Sequence, residues 1–368
     1  MDGVTDSAWR RITKKYGQPD LTWTEFVNVE GLARAEEKLR GHLECKASEG
    51  RVIGQLYGLE PENFRRATKL MAEMAGGVGK GGDSAAGLVG VDINMGCPAR
   101  AVALNGAGAG LIKDKGRAKA IYEAVREEAD KVGLAVSVKT RLGWEKVELE
   151  KWIGWILEEW KPDALTVHGR TYKQGFSGTA DWESLAEVGR LRGGGGQTGR
   201  FGQKIGEGTV IFGNGDVRDY EDGIRRGREA GLDGVLIGRG AIGKPWVFLP
   251  ERERADLLER VKVGEIMIEH SRLFMEEVRG RRLGAENELE GGIEGKAKNG
   301  AEGRVGDGGD KRGREEKLFW PMRKHLAAYA SGFSGAAKVR VALCQTSSVE
   351  EVERVVNELP KGVRSSRE

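Results

Sequence analysis

The sequence predicts an α/β fold: a (β/α)8 TIM barrel that lacks its first strand, followed by a C-terminal helical domain. Short runs rich in Val, Ile, Leu and Thr alternate with helical patterns as far as residue 250. Such alternation indicates a parallel sheet, and its length favours a closed barrel over an open sheet. Glycine or a polar residue closes each run, as expected for buried strands. The runs are LTWTEFV (21–27), RVIGQLYG (51–58), GVDINMG (90–96), AVSVKTR (135–141), ALTVHGR (164–170), TVIFGNGD (209–216) and GVLIGRG (234–240).

The segments between these runs predict amphipathic helices. Apolar residues recur at helical spacing in 61–75 and 148–160, and Asp114 is a suitable cap for a third helix over 114–132. The residues that share one face of each helix are Phe64, Ala67, Met71 and Met74; Ile121 and Val125; and Trp152, Ile153 and Ile156.

Seven strands are predicted where a barrel needs eight, and we expect the missing one to precede Met1. The segment 2–17 has the pattern of a loop followed by the first helix. Two glycine-rich loops support a missing first strand. They are GNGD (213–216) and GRG (238–240), and they follow the last two runs. Barrel enzymes often bind phosphate with the loops after strands seven and eight. If one strand precedes Met1, the last two runs become strands seven and eight, and these loops follow them.

Two domains are predicted, a barrel over 1–250 and a helical domain over 251–368. Residues 251–279 and 315–358 carry helical patterns. Between them, 282–313 is rich in Gly, Glu, Lys and Asn and poor in apolar residues, which predicts a disordered insertion. Two shorter glycine-rich stretches, 74–87 and 190–204, predict surface loops.

Composition narrows the class of protein. No apolar run approaches the ~20 residues that span a bilayer, so we expect no membrane association. Cys45, Cys97 and Cys344 are far apart and form no CxxC pair, which argues against a disulfide framework and a metal site. We expect a monomer in the reducing cytoplasm, with the mitochondrion left open. Residues 311–368 hold 12 Lys and Arg against seven Asp and Glu, which suits a polyanionic partner or simply a solvated surface.

Polar residues at the strand ends are the candidates for a functional site, because a barrel builds its active site there. Lys139, near the end of a buried strand, is costly unless it meets an anionic ligand or an ion-pair partner. His168 fits either a donor to a cofactor or a core histidine with satisfied hydrogen bonds. The candidates form a largely cationic rim: Gln55, Asn94, Cys97, Lys139, Arg141, His168, Arg170, Asn214, Asp216 and Arg239.

The glycines of the last two loops fit either tight turns or a phosphate site. Glycine lets backbone N–H groups approach a phosphate closely, and the Arg239 guanidinium can bind two phosphate oxygens at once. Two such loops on consecutive strands favour phosphate binding. The glycines are Gly213, Gly215, Gly238 and Gly240.

Cys97 stands between Gly96 and Pro98, directly after the run VDINM. Proline cannot continue a strand ladder, so the thiol is expected on a loop at the active-site face. An inert buried cysteine is the common alternative. A thiol at this face could act as nucleophile, acid or sensor. With an ordinary pKa of about 8.5 it is mostly protonated at neutral pH and can donate a proton.

Taken together, the strand-end segments resemble the tRNA-dihydrouridine synthase family. The pattern NxGCP followed by GAGAxL is highly specific for it. The resemblance covers most of residues 1–250 and again about 315–345. The matching segments are MDGVTDSAWR, TEFVNVEGL, GQLYG, DINMGCPARAVALNGAGAGLIKD, VSVKTRLGW, LTVHGRTYKQGFSGTADW, IFGNGDV, GVLIGRGAIGKPWVF and MRKHLAAYASGFSGAAKVR.

The resemblance implies an FMN-dependent enzyme that reduces uridine in tRNA to 5,6-dihydrouridine. Reduced FMN would pass hydride to carbon 6 of the uracil, Cys97 would protonate carbon 5 as general acid, and NADPH would reload the FMN. The implied cofactor contacts are Met1, Gln55, Lys139, His168, Asn214, Gly215, Asp216, Gly238 and Arg239. The implied tRNA contacts are Asn94, Arg141, Arg170, Arg323 and Lys324.

Two other functions stay open on the sequence alone. Without its first strand the chain could be a catalytically impaired relic that binds tRNA. The barrel would also suit a small-molecule FMN oxidoreductase. The basic segment MRKHLAAYA argues against the second of these, because it suits an RNA partner.

Overall fold

A computed structural model describes residues 1–75, 87–191, 208–291, 316–331 and 333–358. In these residues, seven parallel strands form one sheet in sequential order. Each strand coincides, within a few residues, with one of the runs predicted from the sequence. The strands are β1 Thr22–Asn28, β2 Arg51–Tyr57, β3 Gly87–Met95, β4 Ala135–Arg141, β5 Ala164–His168, β6 Val210–Asn214 and β7 Gly234–Leu236.

Helices connect the strands and follow the last one. A π-helical stretch, Leu149–Gly154, leads into one of them. The α-helices are α1 Ser7–Gly17, α2 Val29–Arg34, α3 Glu36–Leu39, α4 Pro61–Met74, α5 Arg100–Ala103, α6 Lys115–Val132, α7 Trp155–Glu159, α8 Trp182–Leu191, α9 Tyr220–Glu229, α10 Glu251–Arg260, α11 Val263–Gly291, α12 Arg323–Tyr329, α13 Ala336–Gln345 and α14 Val349–Glu358.

Local sequence explains where the crossover helices begin and end. Pro61 occupies the start of α4, where its missing N–H costs nothing. Asp114 Oδ1 accepts a hydrogen bond from the Arg117 backbone N–H (2.9 Å), which confirms the predicted cap of α6. Gly133 ends that helix at φ +75°, a left-handed conformation that glycine adopts without strain.

The sheet is a barrel with one strand position open. Among the described residues, β1 and β7 form its two edges and are not hydrogen-bonded to each other. Pairing is regular from β3 through β6, and β7 is only three residues long. The architecture is that of a (β/α)8 barrel lacking a strand, with helices at the C-terminal end, as the sequence predicted.

The two largest apolar clusters hold most of the chain together. The larger lies between the sheet and its crossover helices and includes fully buried Val91, Val138 and Val167. The second joins α1 to the C-terminal helices through residues such as Ile12 and Phe319. The C-terminal helices are therefore packed directly on the barrel.

The C-terminal region is helical in its described part, α10 to α14. Helix α11 continues to Gly291, so the backbone of the first ten residues of the segment 282–313 is helical. Residues 292–313 lie outside the described residues, as do 76–86 and 192–207 of the glycine-rich stretches. The division into domains at residue 250 stays a prediction.

No helix in the described part of the chain is both long and apolar enough to cross a bilayer.

Candidate active site

A cavity of about 2190 Å³ opens at the carboxyl ends of the strands and extends between β1 and β7. It exceeds the roughly 300–1,000 Å³ of an ordinary ligand pocket. Twelve of the fifteen site residues predicted from the sequence lie on it: Met1, Gln55, Asn94, Cys97, Lys139, Arg141, His168, Asn214, Gly215, Asp216, Gly238 and Arg239. The remaining three, Arg170, Arg323 and Lys324, do not line it.

A chain of hydrogen bonds crosses the β2–β3 side of the cavity and ends at the Cys97 loop. Gln55 Nε2 donates to Asp92 Oδ2 (2.6 Å), and Asn94 Nδ2 donates to Gln55 Oε1 (3.0 Å). Asn94 Oδ1 accepts from the backbone N–H groups of Gly96 (3.0 Å) and Cys97 (2.9 Å). A carboxylate only accepts and a backbone N–H only donates, so both ends of this chain impose the same orientation on the two amides.

In that orientation, Asn94 has one hydrogen-bonding group left for a ligand. Its oxygen already accepts two hydrogen bonds, and one amide hydrogen points to Gln55. The second amide hydrogen is the group that Asn94 can offer to the cavity. The residue is therefore a donor, suited to a carbonyl oxygen.

Asp92 is a residue of this site that sequence reasoning missed. Its carboxylate is fully buried on β3 and also accepts from Ser137 Oγ (2.5 Å) on the adjacent strand. Burial raises the pKa of Asp92 to about 6, although its hydrogen bonds oppose the shift. The signal was present in the sequence, because Asp92 lies two residues before Asn94 and so shares its strand face.

Lys139 brings a half-buried cation to the cavity wall. Its amine makes no hydrogen bond or ion pair with the part of the chain that the structure describes. Burial, together with the charge of Arg141, lowers the pKa of Lys139 to about 8, while Asp92 and Cys97 oppose the shift. The amine remains mostly protonated at neutral pH and suits an anionic ligand.

His168, at the end of β5, is neutral. Burial lowers its pKa to about 2, and the cations Lys139, Arg141 and Arg170 add to the effect. Arg170 Nη1 lies 3.4 Å from His168 Nε2. Because a guanidinium only donates, Nε2 is the acceptor and Nδ1 carries the proton. His168 is thus a second neutral N–H donor at the cavity.

Asp216 organises the far side of the mouth. Its Oδ2 accepts from Arg170 Nη2 (2.6 Å) and from the Ala180 backbone N–H (2.8 Å), and its Oδ1 accepts from Arg239 Nη2 (2.9 Å). These donors hold the pKa of Asp216 below its usual value in spite of partial burial. The carboxylate thereby fixes Arg239, whose side chain is 60% exposed.

The Cys97 thiol sits half-buried on a loop that a glycine-rich segment supports. The Ala109 N–H donates to the Cys97 carbonyl oxygen (3.2 Å). Gly108 adopts φ +55°, and a Cβ added there would lie 3.1 Å from the Cys97 Cβ. The GAGAG segment following the cysteine therefore lets the backbone pass close beneath it.

Three of the other four predicted tRNA contacts, Arg141, Arg170 and Arg323, have hydrogen-bond partners within the protein. Arg141 and Arg170 are buried, and their guanidinium groups donate to carbonyl oxygens of the loop after β5. Arg323 donates to the Thr346 carbonyl oxygen (2.7 Å). Lys324 is exposed beside the N-terminal loop. Asn214 Nδ2 donates to the Leu236 carbonyl oxygen, which links β6 to β7 (2.9 Å).

Among the described residues, no group of three His, Cys, Asp or Glu side chains is placed to bind a metal ion. The groups that the cavity offers include a thiol, neutral N–H donors, cations and the Asp216 carboxylate. A parallel barrel that gathers such groups at the carboxyl ends of its strands defines an enzyme of the α/β-barrel class.

Comparison with known proteins identifies the family. The family model described as "Dihydrouridine synthase (Dus)" matches residues 1–278, and the chain belongs to that family. "Probable tRNA-dihydrouridine synthase 2" of Bacillus subtilis (strain 168) is 28% identical over 366 residues, covering 98% of this chain and 92% of that protein. "Probable tRNA-dihydrouridine synthase" of Staphylococcus aureus (strain Mu50) is 29% identical over 366 residues, covering 97% of this chain and 90% of that protein.

Proposed function

We propose that this chain is a tRNA-dihydrouridine synthase, which reduces uridine in tRNA to 5,6-dihydrouridine with FMN as cofactor and NADPH as reductant. The observation that carries the proposal is that Cys97, Lys139 and Asn94 line one cavity at the barrel mouth. The family and the names of the bacterial relatives support the same reaction.

The cavity residues fit FMN. Lys139 offers a cation without a partner among the described residues, and a flavin ring gains negative charge on reduction. A Cβ added at Gly238 would meet only the Met1 Sδ atom, at 3.9 Å, so the backbone leaves room there for a phosphate. The residues that would hold the ring are Gln55, Lys139 and His168, and those that would hold the ribityl-phosphate end are Met1, Asn214, Gly215, Asp216, Gly238 and Arg239.

Cys97 would supply the proton of the reaction. When bound and reduced by NADPH, FMN would supply the hydride for carbon 6 of the uracil. Cys97 Sγ holds the proton that carbon 5 takes up, and the resulting thiolate regains a proton from water. Hydride and proton together account for the two hydrogens that the ring gains. A positioned general acid is typically worth about 10²–10⁴ in rate.

Asn94 and the buried carboxylate behind it would orient the substrate. The remaining N–H of Asn94 suits a uracil carbonyl, on which negative charge develops as carbon 6 is reduced. The same side chain holds the Gly96 and Cys97 N–H groups. Asn94 would thus fix the position of the base relative to the proton donor, Cys97.

The tRNA would be bound largely by charge. Drawing a uridine out of the folded tRNA costs a few kcal/mol, which phosphate contacts elsewhere must offset. The net basic segment 311–368 supplies cations for this role.

The test is to purify the chain, measure its flavin absorption, and assay dihydrouridine in unmodified tRNA with FMN and NADPH. Cys97→Ala should keep the flavin spectrum and lose dihydrouridine formation about 100-fold or more. Cys344→Ala is the matched control, because Cys344 is an exposed free cysteine on α13, outside the cavity lining.

Three outcomes would contradict the proposal. Full activity of Cys97→Ala would show that Cys97 is not the proton donor. Binding of tRNA without flavin would instead indicate a tRNA-binding relic. Flavin-dependent NADPH oxidation with no salt-dependent tRNA affinity would indicate a small-molecule oxidoreductase.

A further inference from the structure

Phe176 is the most exposed large apolar side chain in the described part of the chain, at 63%. It lies on the loop after β5 and lines the same cavity as Cys97 and Asn94. An exposed phenyl ring forgoes the stabilisation that burial would give it. Because the ring lies at the mouth of a reaction cavity, its exposure indicates a binding surface.

The loop on one side of Phe176 is fixed by Arg141. The Nη1 atom of this buried guanidinium donates to the carbonyl oxygens of Thr171 (3.0 Å) and Gly175 (2.9 Å). Its Nε donates to the Gly96 carbonyl oxygen (2.7 Å), next to the cysteine. Arg141 therefore ties the loop that carries Phe176 to the loop that carries the thiol.

Arg170 fixes the other side of the loop. Its Nε donates to the Ser177 carbonyl oxygen (3.1 Å), and its Nη2 donates to the Gly178 carbonyl oxygen (2.6 Å). The backbone is thus held before and after Phe176 by two buried guanidinium groups. A ring presented on a backbone held this way loses little conformational freedom when a planar partner stacks on it.

Two cations lie beside the ring. The guanidinium carbons of Arg141 and Arg239 are 5.8 Å and 5.6 Å from the centroid of Phe176. An aromatic face next to cations suits nucleic acid, because the ring stacks on a base while the cations attract phosphate. A tRNA nucleotide supplies both a planar base and a phosphate, whereas an apolar peptide supplies neither.

We propose that Phe176 is a base-stacking platform for a tRNA nucleotide at the cavity mouth, and that Arg141 and Arg170 are the positioning residues that hold it. This rests on the proposed function for the identity of the RNA. The ring would stack on a base that flanks the reacting uridine, which steadies the strand while the uracil occupies the cavity.

The experiment measures the Kd for unmodified tRNA with the full chain, so that it does not depend on turnover. Phe176→Ala and Phe176→Leu should each raise Kd about tenfold, which corresponds to about 1.4 kcal/mol. Phe176→Tyr should bind like the wild type, because it keeps the aromatic face. Leucine is the matched control for apolar bulk, and thermal melting shows whether each variant folds.

A wild-type Kd for Phe176→Leu would overturn the proposal, since apolar contact alone would then suffice. An unchanged Kd for tRNA with a raised KM for NADPH would also overturn it and place the ring at the nicotinamide. If the wild-type chain binds tRNA but forms no dihydrouridine, the proposed function fails while the comparison of Kd values still decides the role of Phe176.

Discussion

The two sides of the barrel mouth are built differently. On the β2–β4 side, Asp92, Gln55 and Asn94 are buried and held by one another. On the β6–β7 side, Gly215 shapes the backbone and Arg239 is largely exposed. The first side has its geometry fixed by side-chain hydrogen bonds in a low dielectric environment, and the second by backbone conformation and solvated charge.

The difference separates two tasks of one site. A buried network of hydrogen bonds suits proton transfer, which needs atoms placed within fractions of an ångström. An exposed cation beside glycine suits the binding of a phosphate, which tolerates looser geometry. Substitutions on the first side should therefore lower kcat, whereas substitutions on the second should mainly lower cofactor affinity.

Asn94→Ala should have the largest effect on kcat. It leaves the Gly96 and Cys97 N–H groups without their acceptor and removes one donor to the substrate. We expect kcat to fall about 100-fold and the free energy of unfolding to fall by about 2–3 kcal/mol. Dihydrouridine assays and denaturant unfolding measure the two quantities.

Asn105→Ala is its control. Asn105 is exposed, and within the described part of the chain its side chain donates to the Ala101 carbonyl oxygen alone. Its loss should cost less than about 0.5 kcal/mol and leave kcat unchanged. Equal effects of Asn94→Ala and Asn105→Ala would contradict the claim that the buried network controls kcat.

Gly215→Ala should rank second. Gly215 adopts φ +126°, and an added Cβ would lie 2.6 Å from the Ala180 Cβ and 3.0 Å from the His168 Cδ2. We expect the free energy of unfolding to fall by about 2–4 kcal/mol, with weaker flavin binding. Gly208→Ala separates strain from overlap, because Gly208 has the same φ and, among the described residues, no atom lies within 4 Å of the added Cβ. Similar losses at both positions would show that overlap at Gly215 is unimportant.

Arg239→Ala should have the smallest effect on the fold and a clear effect on the ligand. Its ion pair with Asp216 is exposed on the arginine side, so stability should change by less than about 1 kcal/mol. The Kd for FMN, measured by flavin fluorescence, should rise about five- to tenfold and become less sensitive to salt. Arg225→Ala is the control, since Arg225 pairs with carboxylates on α9 and does not line the cavity. An equal Kd for FMN in both variants would show that Arg239 does not bind the phosphate.

Much of this architecture was predictable because its signals are local. Apolar runs closed by glycine or a polar residue placed seven strands in order, and Pro98 placed Cys97 on a loop after the third of them. Eleven of the twelve predicted residues that line the cavity came from strand ends and glycine loops, because parallel strands end on one side of a sheet; Met1 came from the family resemblance. Family resemblance then supplied roles that spacing alone left open.

What sequence reasoning missed depends on partners distant in the chain. Asp92 gains its role from Gln55 and Ser137, which lie 37 and 45 positions away. Arg141 and Arg170 look like free cations in the sequence, yet both guanidinium groups are buried against carbonyl oxygens. Phe176 carries no signal in a polar loop until its exposure and its neighbours are known.

The sequence by itself determined the order of the elements and the residues that stand at the strand ends, because backbone conformation and face alternation are decided within a few residues. Only the tertiary structure decided which way those side chains point and what they bond. Burial, amide orientation and the pKa of a group such as His168 arise from atoms that other strands bring within a few ångströms.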